Sequence, residues 1–182
     1  MSQRYGMAWG IRGTLVTLYL ALVLPLPVLA PPALRPALLL ALPIGLLVVL
    51  AISSEQVELS NSGLQLRHPG WCGWWLRRGW QLRWDQITGL TPVATSQGGR
   101  VYYVRTTAAT SLLLPQRLQR FDDFLARFSQ ATGLSTEGIG RISPAWTYQL
   151  LMALSGLMVA MELAAGWALL TGRWAFPPGL VP

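Results

Sequence analysis

The chain has 182 residues, of which 52% are hydrophobic and only 12% are charged. Soluble domains carry about 25% charged residues, so this composition indicates a membrane protein. All 14 basic residues are arginines, scattered singly apart from Arg77 and Arg78. Because nucleic-acid binders concentrate their basic residues, we expect no nucleic-acid partner. One cysteine and one histidine cannot make an internal disulfide or a protein zinc site, and we expect no bound metal.

Two uncharged apolar segments lie near the N-terminus, at residues 14–30 and 37–52. Their lengths are close to the roughly 17 to 25 residues that cross a bilayer as a helix. We therefore predict a transmembrane hairpin within residues 1–53, with spans at about 13–30 and 37–53. The second apolar run directly behind the first favours a hairpin over a cleaved signal peptide. Three prolines are expected to kink these helices: Pro25, Pro27 and Pro43.

A third apolar segment, residues 147–170, is long enough at 24 residues to cross a bilayer with some tilt. We predict a third transmembrane helix at 144–172, followed by a short tail at 173–182. Aromatic residues that favour the membrane interface stand at its two ends: Trp146, Tyr148, Trp167 and Trp174.

The placement of arginines predicts the orientation of the chain in the membrane. Two arginines precede the first span and ten lie between the second and third spans, whereas one lies in the hairpin turn and one follows the last span. The positive-inside rule therefore places the N-terminus and the middle segment on the cytoplasmic side. The membrane is expected to be a bacterial plasma membrane or a thylakoid, with the middle segment on the equivalent stromal side.

The middle segment, residues 54–143, has the pattern of a small α+β domain. Apolar and polar residues alternate on both sides of the turn "SNSG", where Gly63 is expected to take a positive φ. Further strands are predicted at "WQLRW", "ITGLTPVAT", "RVYYVRT" and "SLLLP". One amphipathic helix then ends at Gly133, and its apolar face is predicted to contain Leu118, Phe121, Phe124, Leu125 and Phe128. The predicted fold class is thus an integral membrane α-helical protein with three spans and a domain of antiparallel strands capped by one C-terminal helix.

The order "GLQLR", "LRWDQI", "VYYV" and "LLLP" before an amphipathic helix resembles the membrane-anchored bacterial PH-like domains. More loosely, residues 15–135 resemble the photosystem I assembly protein family of cyanobacteria and chloroplasts, which has two N-terminal membrane helices and a stromal PH-like domain. The third span has no counterpart in that family. The resemblance implies a PH-like fold with a binding or scaffolding role, and it brings no catalytic residues.

No constellation of residues in the sequence is typical of catalysis. His68 and Cys72 are four residues apart in a turn, and the third group that would orient such a dyad is missing. Asp122 and Asp123 are adjacent on a predicted helix, so they point in different directions and fit a solvated face better than an acid-base pair. We therefore expect a protein that is not an enzyme and that binds no cofactor.

Five tryptophans lie between residues 71 and 84, and they divide into two groups. Trp80 and Trp84 alternate with Leu82 on a predicted strand and are expected to pack against the domain core. Three others stand in a loop with two arginines, and this group is the predicted contact site: Trp71, Trp74, Trp75, Arg77 and Arg78. Such a loop fits a membrane interface, a partner protein or an internal aromatic cluster, and these readings stay open.

Glu162 is an ionisable residue inside the third predicted span, and such residues are functional candidates by default. We expect it to make an intramembrane polar contact, with Tyr19, with a carbonyl freed by a proline or with a partner. Gly156, Ala160 and Ala164 form a stripe of small residues on the other side of the helix. This stripe is predicted to pack closely on another helix, most simply on the N-terminal hairpin.

Together these features predict a non-enzymatic, membrane-anchored PH-like protein that acts as a scaffold or assembly factor for a membrane complex. A photosynthetic complex is one of the candidates. Its expected partners are the lipid bilayer and another membrane protein. The alternative is a module that senses anionic lipids through the same loop. A small membrane enzyme that uses His68 and Cys72 is the remote third hypothesis.

Overall fold

The computed structural model describes residues 2–76, 79–96, 99–142 and 144–173. The chain forms two compact units. The first, here called the β unit, combines the residues up to Trp9 with the segment from Ala51 to Pro144. The second, here called the helical unit, combines the segment from Gly10 to Leu50 with the helix that begins at Ala145.

The regular elements follow one another in this order: β1 Gln3–Gly6, α1 Trp9–Val23, α2 Leu26–Leu29, α3 Arg35–Ile52, β2 Gln56–Leu59, β3 Gly63–Arg67, β4 Gln81–Arg83, a 3-10 turn Trp84–Gln86, β5 Ile87–Ala94, β6 Arg100–Thr106, β7 Ser111–Leu113, α4 Phe121–Thr132 and α5 Ala145–Leu170. The strands and α4 belong to the β unit. The helical unit contains the short α2 and most of the long helices α1, α3 and α5. The helical hairpin is therefore inserted in the chain between the first two strands.

Three helical segments are long and apolar enough to cross a membrane: Trp9–Leu29, Arg35–Ile52 and Ala145–Leu170. The first consists of α1 and α2, and the chain leaves the regular helix between them at Leu24 and Pro25. This interruption agrees with the expected effect of Pro25, since proline cannot donate the next backbone hydrogen bond. Helix α3, in contrast, continues through Pro43.

The β unit contains two antiparallel sheets within the described residues. One has four strands in the order β1-β2-β3-β4, and the other has three in the order β5-β6-β7. Strand β1 was not among the predicted strands. It pairs with β2, so that Tyr5 lies opposite Val57, and both side chains are fully buried.

The hairpin between β2 and β3 forms as predicted, but the role expected for Gly63 is wrong. The glycines with positive φ in the described residues are Gly133, Gly138 and Gly172, and Gly63 is not among them. Instead, Gly63 begins β3 and pairs with Arg83 of β4. A Cβ at this position would collide with the backbone oxygen of Leu82. The position thus requires glycine because two strands approach closely, and not because the turn needs an unusual backbone angle.

Helix α4 covers the core of the β unit with one face. Phe121, Phe124, Leu125 and Phe128 are all buried, and Gly133 ends the helix with a left-handed φ of 71°, as predicted. The helix begins later than its sequence pattern suggested. Leu118 pairs with Met7, and the Gln119 backbone N–H donates to the Gly6 oxygen at 2.8 Å, so the segment after β1 holds these residues out of the helix.

Tyr5 joins the N-terminal strand to α4. Its hydroxyl donates to Asp123 Oδ2 at 2.6 Å, and its ring packs edge-on against Phe124 with the centroids 5.6 Å apart. Burial and the neighbouring carboxylate raise the pKa of Tyr5 to about 12. The same hydrogen bond, with help from the nearby Arg127, holds the pKa of Asp123 below its ordinary value.

Candidate functional site

The segment Pro69 to Leu76, here called the tryptophan loop, follows β3 and folds into a compact turn. The backbone N–H groups of Cys72 and Gly73 both donate to the Pro69 oxygen, at 3.1 and 2.9 Å. The Leu76 N–H then donates to the Cys72 oxygen at 3.1 Å. These local bonds give the loop a helix-like course, which sets the directions of successive side chains.

The tryptophan loop turns its cysteine inward and its tryptophans outward. Cys72 is completely buried, whereas Trp71, Trp74 and Trp75 are 51%, 84% and 45% exposed. Within the chain these three indoles therefore do not form an internal aromatic cluster. Exposed indoles grouped on one loop are typical of a surface that contacts lipid or protein.

Cys72 attaches the tryptophan loop to the segment that follows α3. Its sulfur lies 3.2 Å from the Ser54 hydroxyl oxygen and 3.6 Å from the Pro69 carbonyl oxygen. The Ser54 hydroxyl also lies 2.6 Å from the carbonyl oxygen of Ala51, near the end of α3. The loop is thus held against residues only a few positions beyond a helix that is apolar enough to cross a membrane.

The other members of the tryptophan-rich stretch have different positions. Arg77 and Arg78 lie outside the described residues. Trp80 and Trp84 are half-buried against the core, which confirms the predicted packing. The Trp84 indole N–H donates to the Ser60 oxygen at 3.0 Å, and its ring packs edge-on against Phe128 with the centroids 6.1 Å apart.

A cleft of about 500 Å³ opens in the β unit beside the tryptophan loop. We call it the His68 cleft, and its walls include Leu66, Leu76, Trp80, Ser111, Leu112 and Leu113. His68 lines this cleft, and its Nδ1 is buried without a hydrogen-bond partner among the described residues. From the sequence, His68 was interpreted only as a turn residue, because the residues next to it in the chain do not indicate a cleft.

Glu55 also lines the His68 cleft and was not recognised from the sequence. Its carboxyl group is half-buried, and burial raises its pKa, while the nearby His68 and Arg117 act in the opposite direction. A sequence signal did exist, since Glu55 is the first charged residue after the second apolar segment. That signal gave no indication that His68, 13 positions later, lies nearby.

His68 and Cys72 are not joined to each other by a hydrogen bond. The Cys72 sulfur has the Ser54 and Pro69 contacts described above, and the His68 Nδ1 has none, so the two side chains do not form a hydrogen-bonded dyad. Among the described residues, no three side chains of His, Cys, Asp or Glu lie close enough together to hold a metal ion.

Within the helical unit, polar residues join α1 to α5. The Thr14 hydroxyl donates to the Tyr148 oxygen at 3.0 Å, and the hydroxyls of Thr17 and Ser155 lie 2.9 Å apart. Tyr148, Ser155 and Glu162 follow one another at intervals of seven residues and therefore share one face of α5. Glu162 thus lies on the face of α5 that contacts α1.

Glu162 borders an apolar cavity of about 260 Å³ that is also lined by Leu24, Pro25, Val28, Gly166 and Leu169. Its Oε2 is buried and has no hydrogen-bond partner among the described residues. The contact with Tyr19 that we considered does not form, because the Tyr19 hydroxyl donates to the Leu42 oxygen at 2.7 Å. Glu162 therefore presents an unpaired carboxyl oxygen to a cavity inside the helical unit.

The predicted stripe of small residues on α5 is not the surface that contacts the hairpin. Ala160 and Ala164 are exposed, and no atom lies within 4 Å of a Cβ built on Gly156. The contact with α1 uses the Ser155 face instead, where a Cβ built on Gly13 would lie 3.3 Å from the Met152 sulfur.

Comparison with known proteins identifies a relative of the chain. Uncharacterized protein slr0269 of Synechocystis sp. is 38% identical to this chain over 174 residues, which is 92% of this chain and 85% of the relative. No family model matches the chain, and no solved structure matches it. The similarity covers nearly the whole of both proteins, so it includes residues of both the β unit and the helical unit.

Proposed function

This chain belongs to the same family as uncharacterized protein slr0269 of Synechocystis sp., and we propose that it is a non-enzymatic scaffold or assembly factor for a membrane complex. In this proposal three helices anchor the protein in a bacterial plasma membrane or a thylakoid. The β unit stands on the cytoplasmic side and presents the tryptophan loop to another protein. Because the relative comes from a cyanobacterium, we propose a photosynthetic complex as the partner.

Membrane anchoring is supported by the apolar side chains that the helical unit leaves uncovered. Leu40, Leu154 and Met161 are each more than half exposed, and many similar side chains surround them. In water such a surface would be costly, whereas in the acyl region of a bilayer it is favourable. The excess of arginines in the β unit supports the cytoplasmic side.

A PH-like fold is supported by the order of elements in the β unit. Sheets of four and three antiparallel strands precede a single helix, α4, which packs its aromatic face onto the core. This arrangement agrees with the domain that the sequence resemblance implies. PH-like domains on membrane anchors are expected to bind other molecules, so the arrangement favours a binding role.

The exposure of three indoles on one anchored loop is the main support for the proposal. Tryptophan is the residue most enriched among those that dominate protein interfaces, because it buries a large rigid surface at a small cost in entropy. The loop is held by the buried Cys72, so its tryptophans are positioned before a partner binds. Such preorganisation favours tight contact.

Affinity capture from gently solubilised membranes of the native host tests this proposal. The full-length chain is expected to retain a stoichiometric protein partner, and the combined variant Trp71→Ala, Trp74→Ala and Trp75→Ala is expected to lose it. Trp146→Ala is the matched control, since Trp146 is also 62% exposed but lies on α5. Equal recovery of the same partner with both variants would overturn the role of the loop.

A second function, sensing of anionic lipid, is favoured by two hydrogen bonds, one between Cys72 of the loop and Ser54 and one from Ser54 to Ala51. Because these residues adjoin the end of α3, the indoles can reach the headgroup layer if that helix crosses the membrane. The test uses the full chain in nanodiscs that contain brominated lipids, which quench tryptophan fluorescence at short range. Quenching that depends on Trp74 and increases with phosphatidylglycerol would favour lipid sensing over the scaffold.

A further inference from the structure

The His68 cleft has the size and composition of a small-molecule site. Its volume of about 500 Å³ lies within the usual range of roughly 300 to 1,000 Å³ for such sites. Most of its wall is apolar, and the lining residues include Leu66, Trp80 and residues of β7. Few polar groups interrupt this wall, and two of them are Glu55 and His68.

His68 lines the cleft, but its Nδ1 does not face it. Nδ1 is buried beyond the reach of a water molecule and has no partner among the described residues. A ligand atom in the cleft therefore does not reach this nitrogen, and the ring of His68 serves as part of the wall.

Glu55 supplies a hydrogen-bond acceptor in the cleft. No hydrogen bond or ion pair joins its carboxyl group to another of the described residues, and its partial burial raises its pKa. A positively charged donor would favour the ionised carboxylate and offset the lost hydration. The carboxyl group of Glu55 therefore favours a charged donor, and the surrounding walls favour an apolar body.

The position of Glu55 in the chain indicates where such a ligand would come from. Glu55 follows the end of α3 by three residues, a distance of at most about 10 Å for an extended chain. If α3 crosses the membrane, the carboxyl group lies close to the headgroup layer. Molecules that gather there combine an apolar body with a polar head.

We propose that the His68 cleft binds a small amphiphile whose head is a primary amine, with the ammonium group donating to Glu55. The apolar body contacts Trp80, Leu112 and Leu113. This site is distinct from the outward surface of the tryptophan loop, so it does not depend on the proposed scaffold function. Alcohols share the donor chemistry but lack the charge, and they bind more weakly.

Calorimetric titration of the full chain in phosphatidylcholine nanodiscs tests the site, with octylamine as the probe and empty discs as the blank. We expect saturable binding of octylamine and none of octanoate, which has the same chain but an acceptor head. Glu55→Gln is expected to weaken the binding at least tenfold. Asp85→Asn is the matched control, because Asp85 is an exposed carboxylate of the same unit, and it should change nothing.

Filling the cleft provides a test that does not depend on charge. Ser111→Trp places a large side chain at an exposed position on the rim and should abolish octylamine binding without disturbing the core. Leu112→Trp fills it from a half-buried position, and its thermal transition shows whether the β unit remains folded. Octylamine heat equal to that of empty discs, or binding that survives Ser111→Trp, would overturn the proposal.

Two sources of the amine can be separated in the same experiment. Phosphatidylethanolamine in the disc carries a primary amine, whereas phosphatidylcholine carries no N–H donor. Competition between phosphatidylethanolamine and octylamine would identify a lipid headgroup as the natural source. Unchanged octylamine binding in such discs would identify a free amine.

Discussion

Among the described residues, most of the large side chains that are fully buried lie in the β unit, whereas the buried residues of α1 and α5 are small or polar. Tyr5, Phe121, Phe124 and Phe128 are among the largest buried residues of the β unit. The buried residues of α1 and α5 are Thr14, Ala21 and Ser155. Many large apolar residues of the helical unit are exposed instead.

This difference is what the proposed membrane anchor predicts, because the two units would then be surrounded by different solvents. Water drives large apolar side chains into a core, and the free energy gained is proportional to the area that they bury. Lipid gives no such drive, so helices associate through close packing and through hydrogen bonds between polar groups.

Truncation of the β-unit core should have the largest effect. Phe124→Ala removes a fully buried ring that contacts Tyr5, Phe121 and Phe128, and we expect a loss of about 3 to 5 kcal/mol in the free energy of unfolding. Urea titration in mild detergent, followed by tryptophan fluorescence, measures the change. Leu40→Ala, at a position 66% exposed on α3, should leave the stability unchanged. Similar losses of unfolding free energy in both variants would contradict the difference between the two units.

Overpacking of the helical unit should have the next largest effect. A Cβ at Gly45 would collide with the Tyr19 ring, so Gly45→Val is expected to destabilise the contact between α1 and α3 by about 1 to 3 kcal/mol. The measurement is denaturation with sodium dodecyl sulfate in mixed micelles. Gly156→Val is the matched control, because its side chain meets open space within the chain. A control as unstable as Gly45→Val would mean that the Gly156 face also packs in the folded protein.

The link between Tyr5 and α4 predicts a pH dependence that only the β unit shows. The pKa of Tyr5 is raised from 10.0 to about 12, so its contribution to stability is complete below pH 10 and is lost as the pH rises towards 12. Urea midpoints measured between pH 9 and 12 should therefore fall steeply. Tyr5→Phe should flatten this decline, and Tyr103→Phe is the control on β6. An equally steep decline in Tyr5→Phe would assign the effect to other groups.

Asp123 extends the same test to acid. Its pKa is lowered mainly by the Tyr5 hydrogen bond, so its contribution is present above the pKa of an unfolded aspartate and is lost as the pH falls through the folded value. Tyr5→Phe should therefore flatten the acid decline as well. A variant that changes only the alkaline limb would contradict the hydrogen bond.

Removal of a hydrogen bond in the helical unit should have a smaller effect. Ser155→Ala loses the contact with Thr17, and such bonds between membrane helices contribute on average about 0.6 kcal/mol. Denaturation in mixed micelles with Thr147→Ala as the exposed control measures the difference. A loss above about 2 kcal/mol, beyond the largest values typical of such bonds, would indicate that this contact organises the whole bundle.

The smallest effect on stability should come from the residue most important for the proposed function. Trp74 is 84% exposed, so Trp74→Ala is expected to change the free energy of unfolding by less than about 0.5 kcal/mol. Thermal denaturation of the isolated protein in detergent measures this. A larger loss of unfolding free energy would show that the Trp74 indole stabilises the fold, which would argue against a role only in binding a partner.

Long or strongly periodic patterns allowed much of the fold to be predicted. The three apolar helices, the hairpin of β2 and β3, and the end of α4 at Gly133 each have a signal within a few neighbouring residues. Strand β1 has no such signal. It contains one large apolar residue, Tyr5, and its partner β2 follows about fifty residues later, beyond the helical hairpin.

The candidate sites were predictable to different degrees for the same reason. The composition of the tryptophan loop marks it out, although the inward turn of Cys72 depends on Ser54 from another part of the chain. The His68 cleft combines residues from three separate segments, so no local pattern indicates it. The missed strand also has a practical consequence, since a fragment limited to residues 54–143 lacks Tyr5 and leaves β2 unpaired on one side.

Photo-crosslinking from the tryptophan loop in native membranes tests the scaffold most directly. Trp74→p-benzoylphenylalanine places a reactive ketone at the most exposed position of the loop, and the same replacement at Trp146 serves as the control. We predict a discrete protein adduct from position 74 that position 146 does not give. Adducts with lipid alone from position 74, in membranes where the protein is intact, would contradict the account.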